Sequence, residues 1–249
     1  MLIATERKMT RPRLLRLLDK LDKTPGTSMT VYLPYDCLVP DIEKALSNIP
    51  DADGSLVSEI VERVNKSTTG AVPFWGEGYK YLVFPPFPNR EKPIFYGYEV
   101  EMLRSLLQHD YTIALILIRL GSYAIGVFQG ERLLSSKVGT GHIHQRHKKG
   151  GSSARRFQRH REKQMEYFFE RVCIRVQEKL EPYLGELDYI YYGGERNTIN
   201  LFSRQCRFLE MVKERILPKL LNVREPKQAT LEAAIEDVWT SKVVQWDID

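Results

Sequence analysis

The sequence predicts an α+β protein of two domains: a small sheet with helices over residues 1–105, then a mixed sheet backed by one long amphipathic helix over residues 106–249. Three observations carry this reading. Strand-like and helix-like runs alternate irregularly up to about residue 105, three strand-like runs follow one another from Tyr111, and apolar residues then recur at helical spacing from about Ser153 to Leu180.

The first element is a helix over residues 11–22, where Leu14, Leu15, Leu17, Leu18 and Leu21 repeat at helical spacing and Thr24-Pro25-Gly26 stops them. Ser28 to Pro34 is β-branched and aromatic, which predicts a strand, and a polar helical stretch runs from Asp41 to Asn65 with a break near Asp51-Ala52-Asp53-Gly54. Tyr79 to Phe84 and Pro93 to Tyr98 are further strands, separated by a proline-rich turn. From Tyr111, YTIALILIRL, SYAIGVFQG and ERLLSSKVG predict a three-strand meander with a hairpin turn at Gln129-Gly130. Phe157, Met165, Phe168, Phe169, Val172, Val176 and Leu180 then place the long helix, roughly 40 Å at about 1.5 Å per residue. Leu187 to Gly194 reads as a strand, followed by helices around Leu201 to Leu220 and Leu231 to Trp239. Trp75, Trp239, Trp246, Tyr189, Tyr191 and Tyr192 read as core or edge packing.

Composition excludes several classes. With 43% hydrophobic and 28% charged residues among 249, the chain is neither disordered nor fibrous. Its longest apolar run, Tyr111 to Ile118, is far below the roughly 20 residues of a membrane-spanning helix, and its start lacks the apolar core of a signal peptide. A soluble cytoplasmic protein with no membrane partner is expected. Cys37, Cys173 and Cys206 are odd in number and widely spaced, suggesting neither a disulfide framework nor a cysteine-rich zinc site, which fits a reducing compartment.

The net charge of +5 is distributed unevenly. Between His142 and Lys163 there are eight Lys or Arg residues against one acid, Glu162, so the remainder of the chain is slightly acidic. A concentrated basic patch on such a background suits phosphate backbones. Within it, Gly150-Gly151 permits positive φ and close approach of the backbone to a ligand, and Ser152-Ser153 suits a helix N-cap whose N–H groups attract an anion or a developing oxyanion.

The run HKKGGSSARRFQRHRE resembles the catalytic loop and following helix of archaeal and eukaryotic class I peptide-chain release factors, whose pattern reads K-x-x-GGQ-S-A-x-R-F-x-R-x-R-E. Gly150, Gly151, Ser153, Ala154, Arg156, Phe157, Arg159, Arg161 and Glu162 fall on it without a gap. The likeness extends upstream through IGVFQGERL, downstream to LDYIYYGG, and more faintly to Leu14–Pro34 and Thr69–Glu99. Two departures matter. Ser152 stands where the family has its catalytic glutamine, and neither a codon-reading motif nor a domain that recruits a GTPase partner is evident. The chain is therefore similar to the Vms-like branch, the peptidyl-tRNA hydrolases of ribosome rescue, which act on stalled large subunits without a codon.

The resemblance implies a release-factor middle-domain fold and hydrolysis of the ester between nascent peptide and tRNA, with ribosomal RNA of the large subunit and peptidyl-tRNA as partners. No cofactor is implied, since ribosomal RNA and backbone amides would supply the electrostatics. Gly150, Gly151 and Ser152 would approach the ester, and Arg146, Lys148, Lys149, Arg155, Arg156 and Arg159 would contact RNA phosphates. Gln158, or failing that Gln145 or Gln164, is a candidate for a displaced catalytic glutamine. Two other readings stay open. His142 and His147 have the chemistry of an acid–base pair for metal-free cleavage of tRNA near its acceptor end. A ribosome- or tRNA-binding module without catalysis would also retain the scaffold. Metal binding by His142, His144 and His147 is disfavoured by the surrounding cations and the lack of a carboxylate.

Overall fold

The computed structural model describes residues 4–47, 49, 54–143 and 152–246, residues 152–155 by their backbone alone. The chain divides into two compact units, Met1–His109 with Val238–Asp249, and Asp110–Asp237. In chain order the first unit contains β1 (Ala4–Met9), α1 (Arg11–Asp22), β2 (Ser28–Val31), α2 (Val39–Leu46), α3 (Gly54–Asn65), β3 (Val72–Gly76), β4 (Lys80–Phe84), β5 (Ile94–Tyr96) and α4 (Glu101–Gln108). The second contains β6 (Thr112–Arg119), β7 (Ser122–Gln129), β8 (Arg132–Thr140), α5 (Ser152–Leu180), β9 (Leu187–Gly194), α6 (Arg196–Gln205), α7 (Arg207–Met211) and α8 (Gln228–Val238). The last strand, β10 (Ser241–Trp246), returns to the first unit.

The first sheet is antiparallel throughout, in the order β1-β10-β4-β3-β2-β5. Both faces are buried. Met29, Val31, Trp75, Leu82, Val244 and Trp246 pack under Ile42 and Leu46 of α2 and Ile60 and Val64 of α3, while Phe74, Tyr81, Val83 and Val243 pack under Leu14, Leu18 and Leu21 of α1 and Leu103 and Leu107 of α4. Alternating residues of each strand thus feed two apolar layers, which is why β3 and β10 carry little polar alternation for a sequence reading to detect.

The sequence reading left β10 out and assigned residues 106–249 to one domain. The structure differs: β10 lies between β1 and β4, with Val243 opposite Val83 and Arg7. The pairing partners lie well over a hundred residues away in sequence, and local pattern is blind to such distances.

The second sheet is mixed, ordered β8-β7-β6-β9, with β6 and β9 parallel. Ile116, Ile118, Ile125, Val127, Ile190 and Tyr192 bury one face against Phe168, Phe169, Val172 and Val176 of α5 and Ile199 and Phe202 of α6. Burial pushes the Tyr191 and Tyr192 hydroxyls well above their ordinary range, so both remain neutral packing groups. The single helix expected around Leu201 to Leu220 is replaced by α6, α7 and an extended segment. In that segment Leu217 and Leu221 donate their N–H groups to the Ile190 and Tyr192 carbonyls of β9. Pro218 lacks the N–H that a helix interior needs, and the apolar residues around it cover the edge of β9 instead.

A second correction concerns the cysteines. Cys173, in the last third of α5, and Cys206, at the end of α6, form a disulfide across a sequence separation of 33, and Cys37 is free. Cysteine usage therefore does not argue for a reducing compartment. Two helices packed side by side brought the pair together, which spacing alone does not reveal. Closing a loop of this length corresponds to about 3–4 kcal/mol in the chain-entropy account. Cys173→Ala/Cys206→Ala is expected to lower the unfolding free energy of the second unit by up to that amount in urea titrations. The difference from the parent should vanish when both are measured in dithiothreitol; its persistence under reduction would place its origin in packing.

No helix among the described residues is long and apolar enough to cross a membrane.

Candidate active site and RNA-facing helix

The meander β6-β7-β8 delivers the chain to Thr140, and two glycines fix how it leaves. An ideal Cβ on Gly139 would fall 2.5 Å from Cζ and Oη of Tyr123, a ring that is itself buried. One on Gly141 would fall 2.6 Å from Cδ2 of Phe168 and 2.5 Å from Nη2 of Arg171. Into this space the backbone settles directly: the Gly141 N–H donates to the Gly121 carbonyl at 2.8 Å, and Arg171 of α5 donates to the Thr140 carbonyl at 2.8 Å. Lys179, farther along α5, donates to Ser135 Oγ of β8. The end of β8 is thereby pinned to the middle of α5, so the segment carrying the glycine pair springs from a rigid base. Sequence reading missed Gly139, Gly141 and Arg171; the Gly-Thr-Gly run closing a strand was the available signal.

α5 emerges on the other side of that segment. Met165 is its first residue packed against the core cluster, and none of the side chains described from Arg156 to Gln164 is buried. Phe157, assigned to the apolar stripe, is 51% exposed because the stripe outruns the sheet. At about 100° per residue, Ser152, Arg155, Arg156, Arg159 and Lys163 fall within one strip roughly 100° wide. Phe168, Val172 and Val176, the core-facing positions, lie on the far side of the helix. Among the described residues, neither Arg156, Arg159 nor Lys163 forms an ion pair. Among the described residues the fold thus presents Arg156, Arg159 and Lys163 without an ion pair on a side of α5 that points away from its own sheet.

Residues 111–244, more than half of the chain, match the family model of the Actinobacteria/chloroflexi VLRF1 release factor. The chain belongs to this release-factor family. Among curated relatives, peptide chain release factor subunit 1 of Saccharolobus solfataricus is 24% identical over 241 residues, covering 86% of this chain and 65% of that protein. The Methanosphaera stadtmanae protein of the same name is 26% identical over 230 residues, covering 81% and 55%. The chain spans between half and two thirds of the length of these relatives. Similar solved structures include the archaeal translation termination factor aRF1, with 19% identity, 93% of this chain and 73% of that one covered, and a TM-score of 0.42. The Vms1 mitochondrial localization core has 14% identity, coverage of 87% and 97%, and a TM-score of 0.42.

In this VLRF1-family chain the expected site residues divide into three groups. Gly150, Gly151, Arg146, Lys148 and Lys149 lie outside the described residues, as do His144, His147, Gln145 and the side chains of Ser152 and Arg155. Arg156 and Arg159 stand exposed on the cationic strip. Gln158 is described and points elsewhere. It lies six residues beyond Ser152 in the same continuous helix, about 9 Å along the axis and about 120° round it. Its Nε2 donates to Glu162 Oε1 at 2.9 Å. The structure brings Arg156 and Arg159 to the Ser152 face and leaves Gln158 on the row of Met165, Val172 and Val176.

Proposed function

We propose that the chain is a ribosome-associated peptidyl-tRNA hydrolase that releases nascent peptide from stalled ribosomes or large subunits in the cytoplasm without reading a stop codon. The observation that carries the reading is the cationic side of α5, with Arg156, Arg159 and Lys163 exposed and in no ion pair among the described residues, shortly after the release-factor glycine pair in sequence. Ester hydrolysis requires an aligned water, stabilisation of the tetrahedral oxyanion and a proton for the departing ribose oxygen. The Gly150-Gly151 backbone is slim enough to approach the ester, and the N–H groups at the start of α5, with Ser152 first, are hydrogen-bond donors at the positive end of a helix dipole. Arg155, Arg156 and Arg159, with Arg146, Lys148 and Lys149 of the preceding segment, hold RNA phosphates and so set the depth of entry. Ribosomal RNA supplies the rest of the site.

The test is incubation with large subunits carrying peptidyl-tRNA. Free peptide and full-length tRNA ending in its 3′ adenosine are expected; a shortened tRNA would establish the endonuclease reading, and binding without turnover the binding-module reading. Two substitutions then locate the chemistry. Ser152→Gln restores the family's triplet and is expected to raise single-turnover release about 10²-fold, the usual worth of one positioned transition-state donor. Gln158→Ala is expected to change release less than about threefold, since that side chain sits round the helix from Ser152 and is engaged with Glu162. A loss of about 10²-fold on Gln158→Ala with binding intact would instead make Gln158 the glutamine that positions water.

A further inference from the structure

The face of α5 that carries the cationic strip continues past Lys163. One turn on, Tyr167 occupies the same face and is 70% exposed, an uncommon state for so large an aromatic ring. It stands in an open groove between α5 and α6, lined by Lys163, Glu166, Tyr167, Glu170, Leu201, Arg204 and Gln205. The groove has a fixed width: Gln205 Nε2 donates to the Glu166 carbonyl at 2.9 Å, the Phe169 and Phe202 rings meet beneath it, and the Cys173–Cys206 disulfide ties its lower end. Lys163, Glu166, Glu170 and Arg204 form no ion pair among the described residues, with one another or elsewhere.

We infer that this groove receives one unstacked nucleotide of the large-subunit ribosomal RNA, a guanine stacked on Tyr167; the inference rests on the ribosomal partner proposed above. An exposed aromatic flanked by free cations is how proteins hold single-stranded nucleotides: the ring takes the base and the cations take the flanking phosphates, here Lys163 on one wall and Arg204 on the other. The carboxylates of Glu166 and Glu170 select the base. Ionised carboxylates only accept hydrogen bonds, and guanine is the base that offers two adjacent donors, N1–H and N2–H, along one edge. Position along the helix selects the source. Tyr167 lies fifteen residues, about 22 Å, behind Ser152. A segment that reaches the ester at its leading end has the tRNA terminus ahead of it, so a groove this far back faces the ribosomal RNA that walls the entry path.

The experiment uses vacant large ribosomal subunits, which carry no ester, and reads both affinity and protection of guanines from kethoxal, a reagent for the N1/N2 edge. Wild-type protein is expected to protect a guanine that Tyr167→Ala leaves reactive, with roughly tenfold or greater weakening of binding. Tyr167→Phe should retain both, and Tyr167→Leu should behave like Tyr167→Ala. If Leu and Phe both retain binding, the groove meets an apolar protein surface and the inference is overturned. It is equally overturned if no guanine's protection depends on Tyr167. Absence of peptide release by the wild-type protein, with Tyr167-dependent protection intact, would remove the hydrolase reading and leave the groove assignment standing.

Discussion

Gly194→Ala is expected to destabilise the second unit by about 4 kcal/mol, enough to leave much of it unfolded at moderate temperature. Gly194 ends β9 with φ at +126°, where a side chain is strained, and an ideal Cβ there would lie 2.1 Å from the Ile118 carbonyl oxygen. That oxygen belongs to the end of β6, the parallel neighbour that pairs with β9 along its whole length. Backbone cannot move aside as a side-chain tip can, so the two strands must part. Adjacent Gly193 provides the internal control. Its ideal Cβ would meet Cδ2 of Leu117 at 2.5 Å and Cγ2 of Val223 at 2.9 Å, both ends of movable side chains. Gly193→Ala is therefore expected to cost less. Thermal unfolding followed by circular dichroism should show a drop of ten degrees or more for Gly194→Ala, at roughly 2–4 °C per kcal/mol. A drop of a degree or two would mean that the β6–β9 pairing adapts.

Arg156→Glu/Arg159→Glu is expected to weaken binding to large subunits by more than about 10²-fold at physiological salt, because each change removes a phosphate contact and installs a repelling charge. Both side chains are exposed and form no ion pair among the described residues, so folding should be unaffected. The salt dependence separates this mechanism from a general loss of fit. Two lost contacts should flatten the slope of log affinity against log salt by about 1.4, taking about 0.7 per phosphate for single strands. An unchanged slope would mean that the strip does not meet phosphates.

Where side-chain periodicity is strong, the sequence disclosed its structure. The meander from Tyr111 and the helix ending at Leu180 are such cases, because a strand repeats every two residues and a helix every 3.6. What escaped was contact between distant positions: β10 filling a place between β1 and β4, Cys173 meeting Cys206, and Gly139 and Gly141 lying under Tyr123 and Phe168. None of these leaves a local pattern. The candidate site residues were picked out by motif; of them the structure describes Arg156 and Arg159, exposed on the Ser152 side of α5. Gln158 lies off that side. A motif counts residues and not degrees, and the six residues from Ser152 to Gln158 carry a side chain about 120° round the helix.

The placement of β10 also orders the events of synthesis. The second unit, Asp110–Asp237, is an insertion: the chain leaves the first unit after His109 and re-enters it at Val238. All of the second unit's strands and helices are synthesised before β10, an interior strand of the first sheet. Until Ser241–Trp246 emerges, β1 has no partner and β4 has one open edge, so the unit begun first is completed only after the inserted one. The inserted unit can close its own sheet while the first sheet waits, and Ser241–Trp246 then joins β1 to β4 across β10.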